Sequence, residues 1–422
     1  MPKVRDVLPE QNPWWTGEFE LAYKEREIYA EVRRFLRLQQ IVALTGLRRV
    51  GKTTLLLKAG QDALAGGLDP RRLLYFSFDE FRAVEIREVL GEYEALVERD
   101  LRTGRSLVLL DEVQKLAGWE DQIKAAYDVY KGKVKFVLSG SESLFIRAKS
   151  RESLAGRLFE LKVEPLSFRE YLGFKGVRYE PVGLHEKELA RWFERFLRTQ
   201  GFPELVDIDD RSVARKYLRE GIVEKVLFRD LPLLFGIQDV PAMESLLNIL
   251  MDAPGQLLEL SDLAGSLKLS RKTLSKYIAY LELSFLVKKL YNFSTGRRKV
   301  ERKLKKYYPS ILSVDLVYGE DDLSRSRAFE WAAVGQLKAD FFWRDPYKNE
   351  VDIVLGGRKP VPVEVKYGQV DTRGLRAFMD RFQVRRGYVV TRDQEEVRTL
   401  GAKRIVLVPA YKALLRPEKV LT

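Results

Sequence analysis

The sequence predicts an α/β protein: a parallel sheet covered by helices, then a helical stretch, then a second α/β unit. Three observations predict it. Gly46-Leu47-Arg48-Arg49-Val50-Gly51-Lys52-Thr53 fits G-x-x-x-x-G-K-[ST], between an apolar run at Ile41 to Thr45 and a helical run from Thr54. Short apolar runs then alternate with helical periods as far as Val163, the pattern of repeated strand-helix units. Near the C-terminus, Glu350 to Leu355 and Pro362 to Lys366 alternate apolar and charged residues, as strands with one polar face do.

At 422 residues the chain is too long for one ordinary domain, and its reading divides at 1–164, 165–236, 237–310 and 311–422. There is no cysteine, which excludes disulfides and thiolate metal sites. The single histidine, His185, removes most zinc chemistry and any Ser-His triad that does not use it. No apolar run is long enough to cross a membrane, and Met1 to Asp6 lacks a secretion signal's apolar core, so a cytoplasmic protein is expected. The net charge of +13 points to a polyanionic partner, foremost DNA.

Taken in order, Asn12-Pro13-Trp14-Trp15 reads either as an aromatic staple for the N-terminal segment or as a wall beside an adenine ring. Glu18 to Leu38 has helical spacing. Strand, glycine loop and helix start then form an anion site, in which free amides of residues 46–54 face the phosphates. Gly46 and Gly51 supply backbone angles closed to other residues. Lys52 would reach the phosphates, Thr54 extends the cradle, and the Thr53 hydroxyl would ligate Mg²⁺. Leu73 to Phe78 is a second strand and Glu85 to Leu101 a helix. Leu107 to Leu110 forms the next strand, ending in Asp111-Glu112: the first carboxylate suits Mg²⁺, the second an attacking water. Lys133 to Leu138 runs into Ser139, whose hydroxyl would lie near the γ-phosphate, and Leu158 to Val163 follows Leu154-Ala155-Gly156-Arg157.

The series GLRRVGKTT, LLLDEVQKL, FVLSGSESLF and LAGRLFELKVEPLSFREY resembles the prokaryotic AAA-type ATPases that carry a C-terminal domain of uncharacterised function and are common in archaea. The resemblance covers roughly 35–175 with specific motifs. It implies a five-stranded sheet with the phosphate-loop strand central, ATP as the nucleotide, and Ser139 as the first sensor. The family more often has Thr-Gly-Ser there; serine keeps the hydroxyl. Arg157 becomes a candidate stabiliser of γ-phosphoryl charge, within its own subunit or on a neighbour in a homo-oligomer.

In the middle, helices at Leu184 to Arg198 and Val213 to Phe228 flank Gly201-Phe202-Pro203, as in a helical lid over the nucleotide; Arg215, Arg219 and Arg229 are candidates to approach the phosphates, and the sequence assigns none of them. Residues 240–292 read helix, helix, turn, helix, strand, the winged-helix order. Arg271, Lys272 and Lys276 face outward on the third helix, as a groove-reading helix requires, although winged helices also serve as protein-contact modules. Gly296 to Lys306 holds seven basic residues of eleven, with Arg297, Arg298 and Lys299 at its head, and suits a duplex backbone.

In the last third, Glu364 and Lys366 share a strand face, Asp352 lies on the neighbouring strand, and Glu330 sits on the helix Asp322 to Leu337. Three carboxylates and a lysine at a sheet edge can bind Mg²⁺ and activate water against a phosphodiester. The pattern resembles a restriction-endonuclease-type core, which makes Asp352, Glu364 and Glu330 metal ligands and Lys366 their helper. Such cores also persist without cleavage. The sequence thus reads as an Mg²⁺-dependent ATPase acting with nucleic acid; the alternatives are an ATP-regulated nuclease and a signalling scaffold with a protein partner.

Overall fold

The computed structural model describes residues 3–81, 83–140, 154–296, 300, 304–356 and 359–421. The chain forms two compact units, Met1–Glu164 and Pro165–Thr422. Among the described residues no helix is long and apolar enough to cross a membrane.

The first unit is built on five strands: β1 (Ile41–Thr45), β2 (Leu73–Ser77), β3 (Ser106–Asp111), β4 (Val134–Gly140) and β5 (Leu158–Lys162). All pair in parallel, in the order β2-β3-β4-β1-β5. β4 is therefore central and β1 lies one in from the edge, a correction to the central place expected for the phosphate-loop strand. β1 and β3 are buried along their whole length, which explains their unbroken apolar runs. Helices Lys52–Ala65, Ile86–Val97 and Trp119–Val129 supply the crossovers.

The N-terminal segment differs from its expectation. A helix spans only Ile28–Leu36; residues 18–26 have no regular structure. Ahead of it, a helix at Val4–Gln11 closes the edge of β2, where Asn12 imitates a strand: its amide donates to Tyr75 O (2.8 Å) and its Oδ1 accepts from Tyr75 N (2.7 Å). Trp14 and Trp15 both donate their indole N–H to Leu73 O, at 3.0 and 2.9 Å. Leu73 begins an edge strand, whereas the phosphate loop follows the other end of β1. The tryptophans are the staple and not an adenine wall.

The second unit holds nine more strands: β6 (Gln256–Leu257), β7 (Val287–Asn292), β8 (Lys305–Pro309), β9 (Phe341–Arg344), β10 (Glu350–Leu355), β11 (Val361–Lys366), β12 (Arg386–Thr391), β13 (Glu396–Leu400) and β14 (Lys403–Pro409). They form one sheet in the order β13-β14-β12-β11-β10-β9-β7-β8-β6. Helices Val240–Asp252, Leu260–Ser266 and Arg271–Leu283 precede the β7–β8 hairpin. Leu274, Tyr277, Ile278 and Leu281 are buried, while Arg271, Lys272 and Lys276 are exposed. Ser270 caps this helix by accepting from Thr273 N at 3.0 Å. Arg297, Arg298 and Lys299 lie outside the described residues.

Buried side chains from either side of positions 236 and 310 share a cluster. Phe168, Phe193 and Phe196 from the helical stretch share one cluster with Tyr308 of β8, Phe329 of the helix Asp322–Gln336 and Val363 of β11. β7 also pairs in parallel with β9 through Tyr291 and Asn292. Buried Asn292 extends that pairing, its amide donating to Arg344 O (2.9 Å) and its Oδ1 accepting from Arg344 N (3.2 Å).

Candidate functional site

The loop after β1 owes its shape to two glycines. Gly46 has φ +145°, and a Cβ there would stand 2.3 Å from Val163 O, just past β5. Gly51 has φ +95° and begins the helix Lys52–Ala65. Between them Leu47 and Val50 are buried, and Arg49 takes φ +64°. Arg26, which carries no sequence signal, locks the turn: it is buried and donates to Val50 O (2.6 Å) and Glu164 O (2.7 Å). Gly46→Ala is expected to break the loop, because the blocking carbonyl belongs to a residue whose own N–H is bonded to Thr45 O (2.7 Å) and cannot shift freely. A melting midpoint and a nucleotide-induced thermal shift both unchanged in this variant would contradict the packing.

Lys52 is buried and donates to Gly46 O (3.0 Å) and Leu47 O (2.7 Å), so its ammonium lies inside the loop. Thr53 and Thr54 follow at the helix start. Asp111, at the end of buried β3, gathers three hydroxyls: Oδ2 accepts from Thr53 Oγ1 (2.7 Å) and Tyr75 Oη (2.9 Å), and Oδ1 accepts from Ser139 Oγ. Ser139 in turn accepts from Glu112 N at 3.1 Å. Glu112 has φ +56°, a strained angle for a residue with a Cβ, and its carboxylate accepts from Gln114 Nε2 at 2.6 Å. Four of the expected residues therefore meet where β1, β3 and β4 end. Tyr75 was not legible: it is one more aromatic in an apolar run, and only the pairing of β2 with β3 brings it to Asp111. Burial, and then the Asp111 carboxylate, hold its phenol above the usual tyrosine range, so it stays a donor.

Arg157 lies elsewhere. Its carbonyl accepts from Ile41 N (2.8 Å) at the opening of β1, and its guanidinium pairs with Asp128 at 3.1 Å. The phosphate loop leaves the other end of the same strand. Arg157 therefore stands at the far end of β1 from its own subunit's phosphate loop, as a salt-bridged arginine at a strand edge.

The second unit brings Glu330, Asp352, Glu364 and Lys366 together, but with an unexpected member. Lys306, read as part of the basic run facing solvent, is 4% exposed. Its Nζ lies 2.6 Å from Glu350 Oε1, 3.5 Å from Glu330 Oε1 and 3.6 Å from Asp352 Oδ1. Tyr308, two residues on and so on the same face of β8, donates to Glu330 Oε1 at 2.6 Å. Asp352 sits where β10 slips register against β9, a bulge that leaves its Oδ2 to accept from Val365 N at 2.9 Å. Lys366 pairs with Glu364 Oε1 at 2.7 Å. Burial alone would lower the Lys306 ammonium, but Tyr308, Glu330, Asp352 and Glu350 hold it well above the usual lysine range.

The metal assignment of Glu330, Asp352 and Glu364 is corrected accordingly. The Lys306 ammonium already compensates Glu330 and Asp352, and among the described residues no group of three or more His, Cys, Asp or Glu could hold a metal ion. Glu364 Oε2 is buried without a hydrogen-bond partner among the described residues. Burial, then Asp352, push the Glu364 carboxyl up to about 8. The native chain thus keeps a proton that the unfolded chain sheds above its ordinary value of 4.5. Stability should fall as pH rises from that value towards 8, by on the order of a few kcal/mol. Glu364→Gln should flatten the fall in thermal unfolding measured across this range; an equally steep fall would assign the dependence to other groups.

Residues 38–172 match the model of an AAA domain, residues 190–310 a domain of unknown function (DUF8612), and residues 331–412 another (DUF4143). An uncharacterized protein of Haemophilus influenzae is 24% identical over 275 residues, covering 64% of this chain and 66% of its own length. One from Methanocaldococcus jannaschii is 25% identical over 391 residues, covering 83% and 80%. One from Mycobacterium tuberculosis is 26% identical over 414 residues, covering 93% and 85%. AMPPCP-bound DnaA from Aquifex aeolicus overlaps 63% of this chain and 89% of its own, at 18% identity and a TM-score of 0.28. The AAA match falls on the unit that carries the phosphate loop, and the chain is similar along its length to proteins of both archaea and bacteria.

Proposed function

We propose that this protein is a cytoplasmic, Mg²⁺-dependent ATPase whose nucleotide cycle governs its contact with DNA. The hydrogen-bonded set Thr53, Asp111 and Ser139 at the mouth of the phosphate loop carries the reading. Thr53 and Asp111 are the residues to hold Mg²⁺, which would neutralise charge on the triphosphate. Lys52 binds the phosphates once it exchanges its loop carbonyls for them. Glu112 orients and deprotonates the attacking water, with its backbone fixed by Ser139. Arg157 serves a neighbouring copy in a homo-oligomer.

Exposed Arg271, Lys272 and Lys276 on one capped helix, beside a hairpin, support duplex contact through a winged helix. Lys306 argues against phosphodiester cleavage: its ammonium stands where a nuclease-like site would take its cation. The C-terminal unit is therefore read as nuclease-like in ancestry and non-cutting in action.

The test joins hydrolysis to binding. Glu112→Gln should retain ATP without turnover. In that trapped state duplex affinity should differ from the nucleotide-free protein and fall steeply with salt. Duplex binding that is absent, or flat with salt, would favour a scaffold with a protein partner. Cleavage of a labelled duplex in Mg²⁺ or Mn²⁺, lost in Asp352→Ala, would restore the nuclease.

A further inference from the structure

A cavity of about 440 Å³ lies among the helix Glu186–Thr199, the start of the helix Arg211–Leu218, the turn after Val317, the helix Asp322–Gln336 and the ends of β11 and β12. Its wall carries four arginines, Arg198, Arg211, Arg325 and Arg392, against two glutamates, Glu194 and Glu320. Two tyrosines complete it. Arg198 and Arg211 stand over the ring of Tyr318 at 5.5 and 5.7 Å, and Arg392 over that of Tyr367 at 5.3 Å. Phe329 meets Tyr367 edge-on at 5.6 Å and fixes its ring.

The polar groups here are underused. Arg211 is paired with Asp315, but Arg198, Arg325 and Arg392 have no carboxylate partner among the described residues. The Tyr318 hydroxyl is buried with no hydrogen-bond partner among the described residues. Solvated lysines or arginines alone would signify little. Planar guanidiniums parked on aromatic faces are different, because they keep their donor edges open for a planar or tetrahedral oxyanion. The guanidinium planes suit a nucleobase, which stacks on arginine as well as on aromatic rings. The volume lies within the range of small-ligand pockets. The position also follows topology: β11 and β12 are parallel, and such sheets bind ligands beyond their carboxyl ends.

We propose that this cavity binds a phosphorylated nucleoside unit, either a free nucleotide or the end of a single nucleic-acid strand. It is separate from the phosphate loop and stands whether or not that loop hydrolyses ATP.

The experiment uses the full chain with Lys52→Ala, so that the loop contributes little to nucleotide binding. Two probes are titrated by fluorescence: a mononucleotide bearing a ribose fluorophore, and a labelled oligothymidylate six nucleotides long with a 5′-phosphate. At least one should saturate, and the tighter of the two identifies the source. Arg198→Ala combined with Arg325→Ala should weaken that probe tenfold or more, and so should Arg392→Gln alone by a smaller factor. Arg271→Ala with Lys272→Ala should leave mononucleotide binding unchanged. Thermal unfolding of each variant checks that the fold survives. The proposal is overturned if neither probe binds the Lys52→Ala parent, or if folded cavity variants bind as the parent does.

Discussion

Lys52→Ala is expected to lower ATP affinity by about a hundredfold or more. A buried ammonium on phosphate oxygens makes charge-assisted hydrogen bonds worth ~3 kcal/mol or more together. The methyl group also leaves Gly46 O and Leu47 O without the donor that now satisfies them, so the loop should loosen even without ligand. Calorimetric titration of ATP with Mg²⁺ measures the first effect. The melting midpoint without nucleotide measures the second. An unchanged affinity would remove the phosphate loop from nucleotide binding and take the proposed mechanism with it. Paired with Glu112→Gln, which should keep the nucleotide and lose turnover, the variant separates binding from chemistry.

Lys306→Ala is expected to be the most destabilising change in the second unit. Removing one partner from a buried ionic cluster leaves uncompensated charge, typically ~3–5 kcal/mol. Glu330, Glu350 and Asp352 would all lose their shared cation. For a unit of this size that is a drop of roughly 10 °C in melting midpoint. Adding Glu330→Gln and Asp352→Asn to the same chain should recover part of the loss, since neutral amides no longer repel. Mn²⁺ offers a sharper check. If the lysine is what excludes a metal, millimolar Mn²⁺ should raise the midpoint of Lys306→Ala and leave that of the parent unmoved. A variant as stable as the parent would mean that water already reaches these carboxylates.

The contrast between the two sites explains what the sequence could carry. Lys52 and Thr53 were legible from the glycine loop that opens their helix, and Asp111, Glu112 and Ser139 because each stands at the end of a buried strand. Strand ends in a parallel sheet converge whatever the details of packing. Glu330, Asp352, Glu364 and Lys366 were legible as a set for the same reason, through alternation and spacing. Lys306 was not. In the sequence it is one of seven basic residues among eleven, and a charge run reads as solvated until the fold turns one face of β8 inward. Arg26 and Tyr75 were missed because their partners are backbone carbonyls and a carboxylate far along the chain. The segment 18–26 shows the converse error: helical spacing was present, but its Arg26 is committed to the phosphate loop and no helix forms there.

The pairing of β7 with β9 reaches beyond the fold itself. A gene fragment ending near residue 310 looks like a tidy DNA-reading module, yet it would bare the flank of β7 that Phe341 and Phe342 now cover. Asn292 would present its amide to nothing, and the naked strand would be a template for sticking to other chains. Each of the two stretches thus depends on the other for a closed strand flank, and neither is a self-sufficient piece of the sheet.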